Sequence, residues 1–292
     1  MKNPISLLLA AALTVACTSR PVVVDNVPAY ADSLTFKIDS IGVFTLLYVD
    51  MPAEDDSLMQ SCLAWYVGQR MFPARDDEAR AHCPAYEGNL PAFLAACARQ
   101  KWNEMESMTY AGFPEEIAED SEEGFTRAEM QEQATSMVEE DSIYLTDCTM
   151  KFRKVYETDS LVSWESEYYI YVNNTAHPSM GQAGITLNKA DGSTACADLL
   201  RDTDSPAFCQ ILKEALCQWY MKVMEEPYPT DDQLRMVLSS WVKDVNALPL
   251  PGLSPYLTAE GVALSYDEGE LTAGSGSTVL ILPYDKVQPF MK

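Results

Sequence analysis

A chain of 292 residues with 44 Asp and Glu against 20 Lys and Arg carries a formal net charge of −24. Neutralising nucleic-acid phosphates requires a basic surface, so this charge argues against a nucleic-acid partner. With 47% hydrophobic residues a real core is available, and the length suits one large domain or two modest ones.

The chain opens with the basic residue Lys2, an apolar run from Ile5 to Leu13, and Thr14-Val15-Ala16-Cys17. A charged start, a short apolar stretch and small residues before a cut describe a secretory signal. A cysteine directly after the small residue resembles the bacterial lipoprotein signal. That resemblance implies that Cys17 takes a diacylglycerol and becomes the first mature residue. Residues 1–17 then form the signal with its lipid-acceptor Cys17, and residues 18–32, with two prolines and no periodicity, form a tether. No later apolar run approaches the roughly 20 residues needed to span a bilayer. Acyl chains would hold the chain on the membrane instead.

Beyond the tether, Leu34, Phe36 and Ile38 alternate with polar residues and predict a strand, with 43–49 as its hairpin partner. Asp55, Asp56 and Ser57 precede Leu58, Met59, Cys62, Leu63, Tyr66 and Val67, which is helical spacing with acids at the positive end of the dipole. After a charged loop, Asn89 caps a second helix with Pro91 in its first turn and Phe93, Leu94, Cys97 and Trp102 along it. Residues 115–123 read as an acidic solvated loop, and Thr126 with Glu129 as a capping box opening a third helix.

The period then changes to two. Cys148, Met150 and Phe152 share one strand face, and Val162, Trp164, Tyr168, Ile170 and Val172 share a face of the next. Asp191-Gly192 signals a hairpin turn. Ser205 caps and Pro206 opens a long helix with a stripe of Phe208, Ile211, Leu212, Ala215, Leu216, Trp219 and Val223. Thr230 and Gln233 form another capping box before Leu234, Val237, Leu238, Trp241 and Val245. After Pro249-Leu250-Pro251-Gly252 come two short strands around Glu260-Gly261, and 278–282 form the last. Strands and helices cluster without regular alternation. The expectation is an α+β fold with antiparallel sheets, helices packed on one face, and two related small domains at 33–145 and 146–292.

The ordered landmarks of the second half resemble a known extracytoplasmic domain family. They are Tyr169-Ile170-Tyr171, Ala176-His177, Asp191-Gly192, Asp198-Leu199-Leu200, the stretch 261–266, Ala273-Gly274 and Leu282-Pro283-Tyr284. The family is the C-terminal ectodomain of the lysozyme-sensing anti-sigma factor RsiV, which recurs in lipoproteins. Residues 33–145 are similar to the small domain that opens PdaC-type peptidoglycan deacetylases. The chain departs from the pattern at Asn174, Thr175 and Pro178, where the family has glycines, and at Gly269-Glu270, where it has an aromatic-acidic pair. Nothing in the chain resembles the deacetylase catalytic domain.

Candidate chemistry is sparse. Seven cysteines remain beside Cys17, but sequence alone leaves their pairing open, and with only His82 and His177 no metal site or cofactor is expected. The candidate binding residues are His177, in a turn after a strand, and Tyr169 and Tyr171, on the polar strand face with Glu165 and Glu167. His177 reads first as a residue that ties a turn together. No catalytic residue is expected. The function expected is a lipid-anchored binding module of the cell envelope, an outer-membrane lipoprotein facing the periplasm or the surface. The resemblance makes its partner a cationic, lysozyme-like protein or cell-wall glycan. The alternative is an enzyme, or an accessory of one, acting on peptidoglycan with His177 at its centre.

Overall fold

The computed structural model describes residues 32–38, 42–73, 82–111, 146–172, 177–274 and 276–292. Cys17, residues 18–31 and the helix expected after Thr126 lie outside them. The chain divides into two compact units that interleave in sequence, residues 29–152 with 167–180, and residues 153–166 with 181–292.

In the first unit, β1 (Asp32–Ile38) and β2 (Gly42–Val49) pair antiparallel with Phe36 opposite Phe44. The first seven residues of β3 (Thr146–Glu157) continue the sheet beside β2. Two helices complete the unit. The first, α1 (Ser57–Met71), starts where Asp56 Oδ1 accepts the Met59 amide at 3.1 Å. The second, α2 (Leu90–Ala111), starts where Asn89 Oδ1 accepts the Ala92 amide at 2.9 Å. Both caps satisfy amides that have no acceptor inside the helix. α2 packs on α1, β1 and β2. Trp102 stacks on Phe36 with ring centroids 6.4 Å apart, and Leu63, Val67, Leu94, Phe44 and Phe152 are buried in the core.

In the second unit, β3 turns at Thr158–Leu161 into β4 (Leu161–Val172), and β5 (Ser179–Asn188) lies beside β4. A second sheet, ordered β6 (Tyr256–Leu257), β7 (Gly261–Tyr266) and β8 (Thr278–Pro283), is antiparallel, with Leu264 opposite Leu280. The helix α3 (Pro206–Met224), capped by Ser205, packs on β8, as does α5 (Tyr284–Val287) ahead of a 3-10 turn at Gln288–Phe290. The α+β class expected from the sequence holds.

Two local expectations are corrected. Val223 does not join the core stripe of α3, where it is half exposed, and Cys217 and Tyr220 take the buried positions instead. The helix after Thr230 has its capping box, but α4 (Asp231–Val237) ends well short of Val245. Leu238 turns extended and bridges Thr272, while the amides of Ser239 and Ala273 bond the carbonyls of Leu271 and Val237. Tertiary pairing wins over helical propensity there.

Candidate functional site

The first unit displays the aromatic residues expected to bind. Tyr169 and Tyr171 sit two residues apart on β4 and are therefore on one face of it, each half-buried. His177 lies in the bend that leads into β5 and is exposed. Its Nδ1 lies 3.4 Å from the carbonyl oxygen of Pro178, its own neighbour. The acids expected beside the tyrosines are neutralised by β3. Lys151 meets Glu167 at 3.4 Å.

Glu165 does not stand on an exposed polar face. It is 4% exposed and belongs to the second unit, at the centre of a hydrogen-bonded cluster. Arg153 donates to Oε1 from both Nε, at 2.9 Å, and Nη2. Gln182 Nε2 donates to Oε2 at 2.7 Å, and the Tyr256 hydroxyl donates to the same oxygen at 2.8 Å. A buried carboxylate is tolerated only when paired and bonded in this way. Tyr256 reaches Glu165 because β5 carries Gly184 beneath its ring. A Cβ at Gly184 would lie 2.3 Å from Tyr256 Cδ2.

The same packing satisfies the outer edge of β5. The Gln182 amide donates to Ser277 Oγ at 2.6 Å, and Ser265 Oγ donates to the Gln182 carbonyl. Further along, Ser163 and Thr186 share a buried hydroxyl bond of 2.8 Å, and Thr186 Oγ1 accepts the Leu257 amide. This polar layer fixes the register of the strands against one another. The arrangement explains rigidity, since donors of the protein reach both oxygens of Glu165.

A cavity of about 240 Å³ opens in the same unit, lined by Asp198, Leu200, Thr203, Pro251, Ser254 and Leu264. Asp198 and Leu264 come from two landmark stretches of the sequence that meet here. Glu270 braces the wall: its Oε1 accepts the Gly252 amide at 2.6 Å and its Oε2 the Asp267 amide at 2.8 Å. Tyr266 donates to the Pro249 carbonyl at 2.9 Å, and burial followed by the nearby Glu270 charge pushes its hydroxyl pKa up. The volume is below the roughly 300–1,000 Å³ of ordinary ligand pockets.

Among the described residues there is no group of three or more His, Cys, Asp and Glu side chains placed to hold a metal ion, and no helix is long and apolar enough to cross a membrane. No family model matches the sequence, and no curated protein does. Two crystal structures resemble the chain along most of its length. One is a DUF3298 family member from Bacteroides fragilis NCTC 9343, with a TM-score of 0.52 and 14% identity over 89% of this chain and 92% of that one. The fold is shared with this DUF3298 protein. The other is a DUF3298 family protein from Pseudomonas aeruginosa PAO1, with a TM-score of 0.48 and 15% identity over 89% of this chain and 91% of that one.

The structural roles of Glu165, Gln182, Tyr256 and Glu270 did not emerge from the sequence. A signal for the first was present. A three-residue turn at 158–160 places Lys151 opposite Glu167 and Arg153 opposite Glu165, so both cross-strand ion pairs follow from the hairpin register.

Proposed function

We propose that this chain is a lipid-anchored extracytoplasmic binding module, attached through Cys17 and acting without catalysis of its own. What supports binding over chemistry is the display of His177. The ring is exposed on a turn, where a side chain can meet a macromolecular partner. Tyr169 and Tyr171, half-buried on one strand face, provide rigid amphipathic contact area of the kind enriched at interfaces.

The partner proposed is a cationic, lysozyme-like protein, with cell-wall glycan as the other member of the same envelope setting. A net charge of −24 steers a basic protein toward the chain and repels nucleic acid. In this proposal residues 146–292 belong with the RsiV-type ectodomain and 33–145 with the PdaC-type N-terminal domain, and the mature chain sits in the cell envelope as an outer-membrane lipoprotein facing the periplasm or the surface.

Retention of lysozyme on the immobilised chain tests the partner. Capture is expected at about 20 mM salt, with progressive loss toward about 500 mM as charges are screened. Tyr169→Ala with Tyr171→Ala is expected to weaken binding about tenfold at fixed salt. No retention at low salt would remove lysozyme as the partner.

A further inference from the structure

We infer that Cys83 and Cys97 form a disulfide in the exported protein, pinning the segment before α2 to α2 itself. The inference rests on the export that the proposed function includes, because disulfides persist in oxidising compartments and are rare in the cytosol.

Cys83 Sγ and the Phe93 ring, which lies one turn before Cys97 on α2, face the same spot on Gly68 of α1, 3.0 and 3.9 Å from where a Cβ would stand, and the two thiols are near enough for each to act on the other's pKa. Cys97 is fully buried on α2, and Cys83 is half-buried on the strap that leads into that helix. The surroundings hold Cys83 in place. Its Sγ lies against Gly68 of α1, where an added Cβ would be only 3.0 Å away, so the absence of a side chain there makes room for the sulfur. The same thiol donates to the Pro84 carbonyl at 3.6 Å. Three residues on, Tyr86 fixes the strap to both helices. Its hydroxyl donates to Gln60 Oε1 of α1 at 3.3 Å, and its ring meets Phe93 edge-on at 5.8 Å, one turn before Cys97. These contacts hold Cys83 and the strap against the face of α2 that carries Cys97 one turn beyond Phe93.

The chemistry balances by exchange with an extracytoplasmic protein disulfide. The more accessible Cys83, as thiolate, attacks one carrier sulfur and displaces the other as a thiolate, giving a mixed disulfide. Cys97 Sγ then attacks Cys83 Sγ and releases the second carrier thiol. One S–S bond breaks and one forms, two protons leave the protein thiols, and the carrier is reduced to a dithiol. Burial raises the pKa of both thiols, Cys97 further through its Cys83 neighbour, so exchange is slow at neutral pH and accelerates in alkali. The loop closed is short, and constraining it in the unfolded chain shifts the folding equilibrium on the order of 100-fold.

The test is peptide mapping of the full chain without reduction, after equilibration with oxidised and reduced glutathione. The expected product is one cross-linked pair of peptides carrying Cys83 and Cys97, absent from both Cys83→Ser and Cys97→Ser. Two free, alkylatable thiols in the folded protein under oxidising buffer, or a bond from Cys83 to another cysteine, would overturn the pairing. A second arm blocks thiols at the moment of lysis in the native host. A bond there supports both pairing and export. A pair that oxidises in glutathione but is recovered reduced from cells leaves the geometry standing and overturns the export on which the inference rests.

Discussion

A single methyl group added at Gly184 tests how tightly the second unit is built. The new Cβ would sit 2.3, 2.4 and 2.5 Å from Cδ2, Cε2 and Cγ of Tyr256, so the ring has to move. That ring is fully buried, and its hydroxyl is held 2.8 Å from Glu165 Oε2. Displacing it costs overpacking of about 1–3 kcal/mol. Losing its bond to a carboxylate adds about 1.5–3 kcal/mol. The better strand and chain-entropy properties of alanine return up to about 1 kcal/mol. The net expectation for Gly184→Ala is a loss of about 3 kcal/mol, or roughly 6–12 °C in Tm for a chain of this size. Urea unfolding measures it directly, through a lower midpoint at unchanged slope. In a Tyr256→Ala background the three atoms nearest to the new methyl are gone, so the two changes should be strongly non-additive. A Gly184→Ala protein within 0.5 kcal/mol of wild type, taken as about the noise of surface substitutions, would refute the packing argument.

Other expectations follow from the same contacts. Glu165→Gln keeps the shape but turns an acceptor into a donor that faces either Arg153 or the donors Gln182 and Tyr256. It should cost about 2–3 kcal/mol in the urea midpoint, the partial exposure of Arg153 keeping it below the cost of a fully buried pair. Near-neutrality would mean the cluster is not a structural centre. Alkali should destabilise the first unit through Cys148. Burial, with Asp147 adding and Lys101 opposing, pushes that thiol from 9.0 to about 12. The folded pKa is raised, so its contribution is complete below pH 9 and is lost as pH rises toward about 12. The drop in urea midpoint between about pH 8 and about pH 10.5 should shrink in Cys148→Ala, and an equal drop in both proteins would contradict the assignment.

Much of the fold was legible because its signals are local. The alternation at Leu34-Phe36 and Cys148-Met150-Phe152 announced strands. Asn89, Ser205 and Thr230 announced helix starts by the oxygen each offers to an amide, and Asp55 and Asp56 by their charge at the positive end of the dipole. What stayed hidden depends on partners far along the chain. Nothing near Leu238 reveals that it will bridge Thr272 and end α4, and nothing near Gly184 reveals that Tyr256 will lie on it. The candidate site was read in part. Local alternation put Tyr169 and Tyr171 on one face, but it assigned Glu165 to solvent because a charged residue on a strand is usually exposed. Only the hairpin register, which brings Arg153 opposite, makes its burial affordable.

Anchoring at Cys17 is the property that a binding module of the envelope, as proposed, requires first. Cells fed a labelled fatty acid should incorporate label into the wild-type chain and none into Cys17→Ala, with the wild-type protein sedimenting with envelope membranes. Equal labelling of both proteins, or an unlabelled wild-type chain recovered inside the cell with residues 1–16 intact, would contradict it.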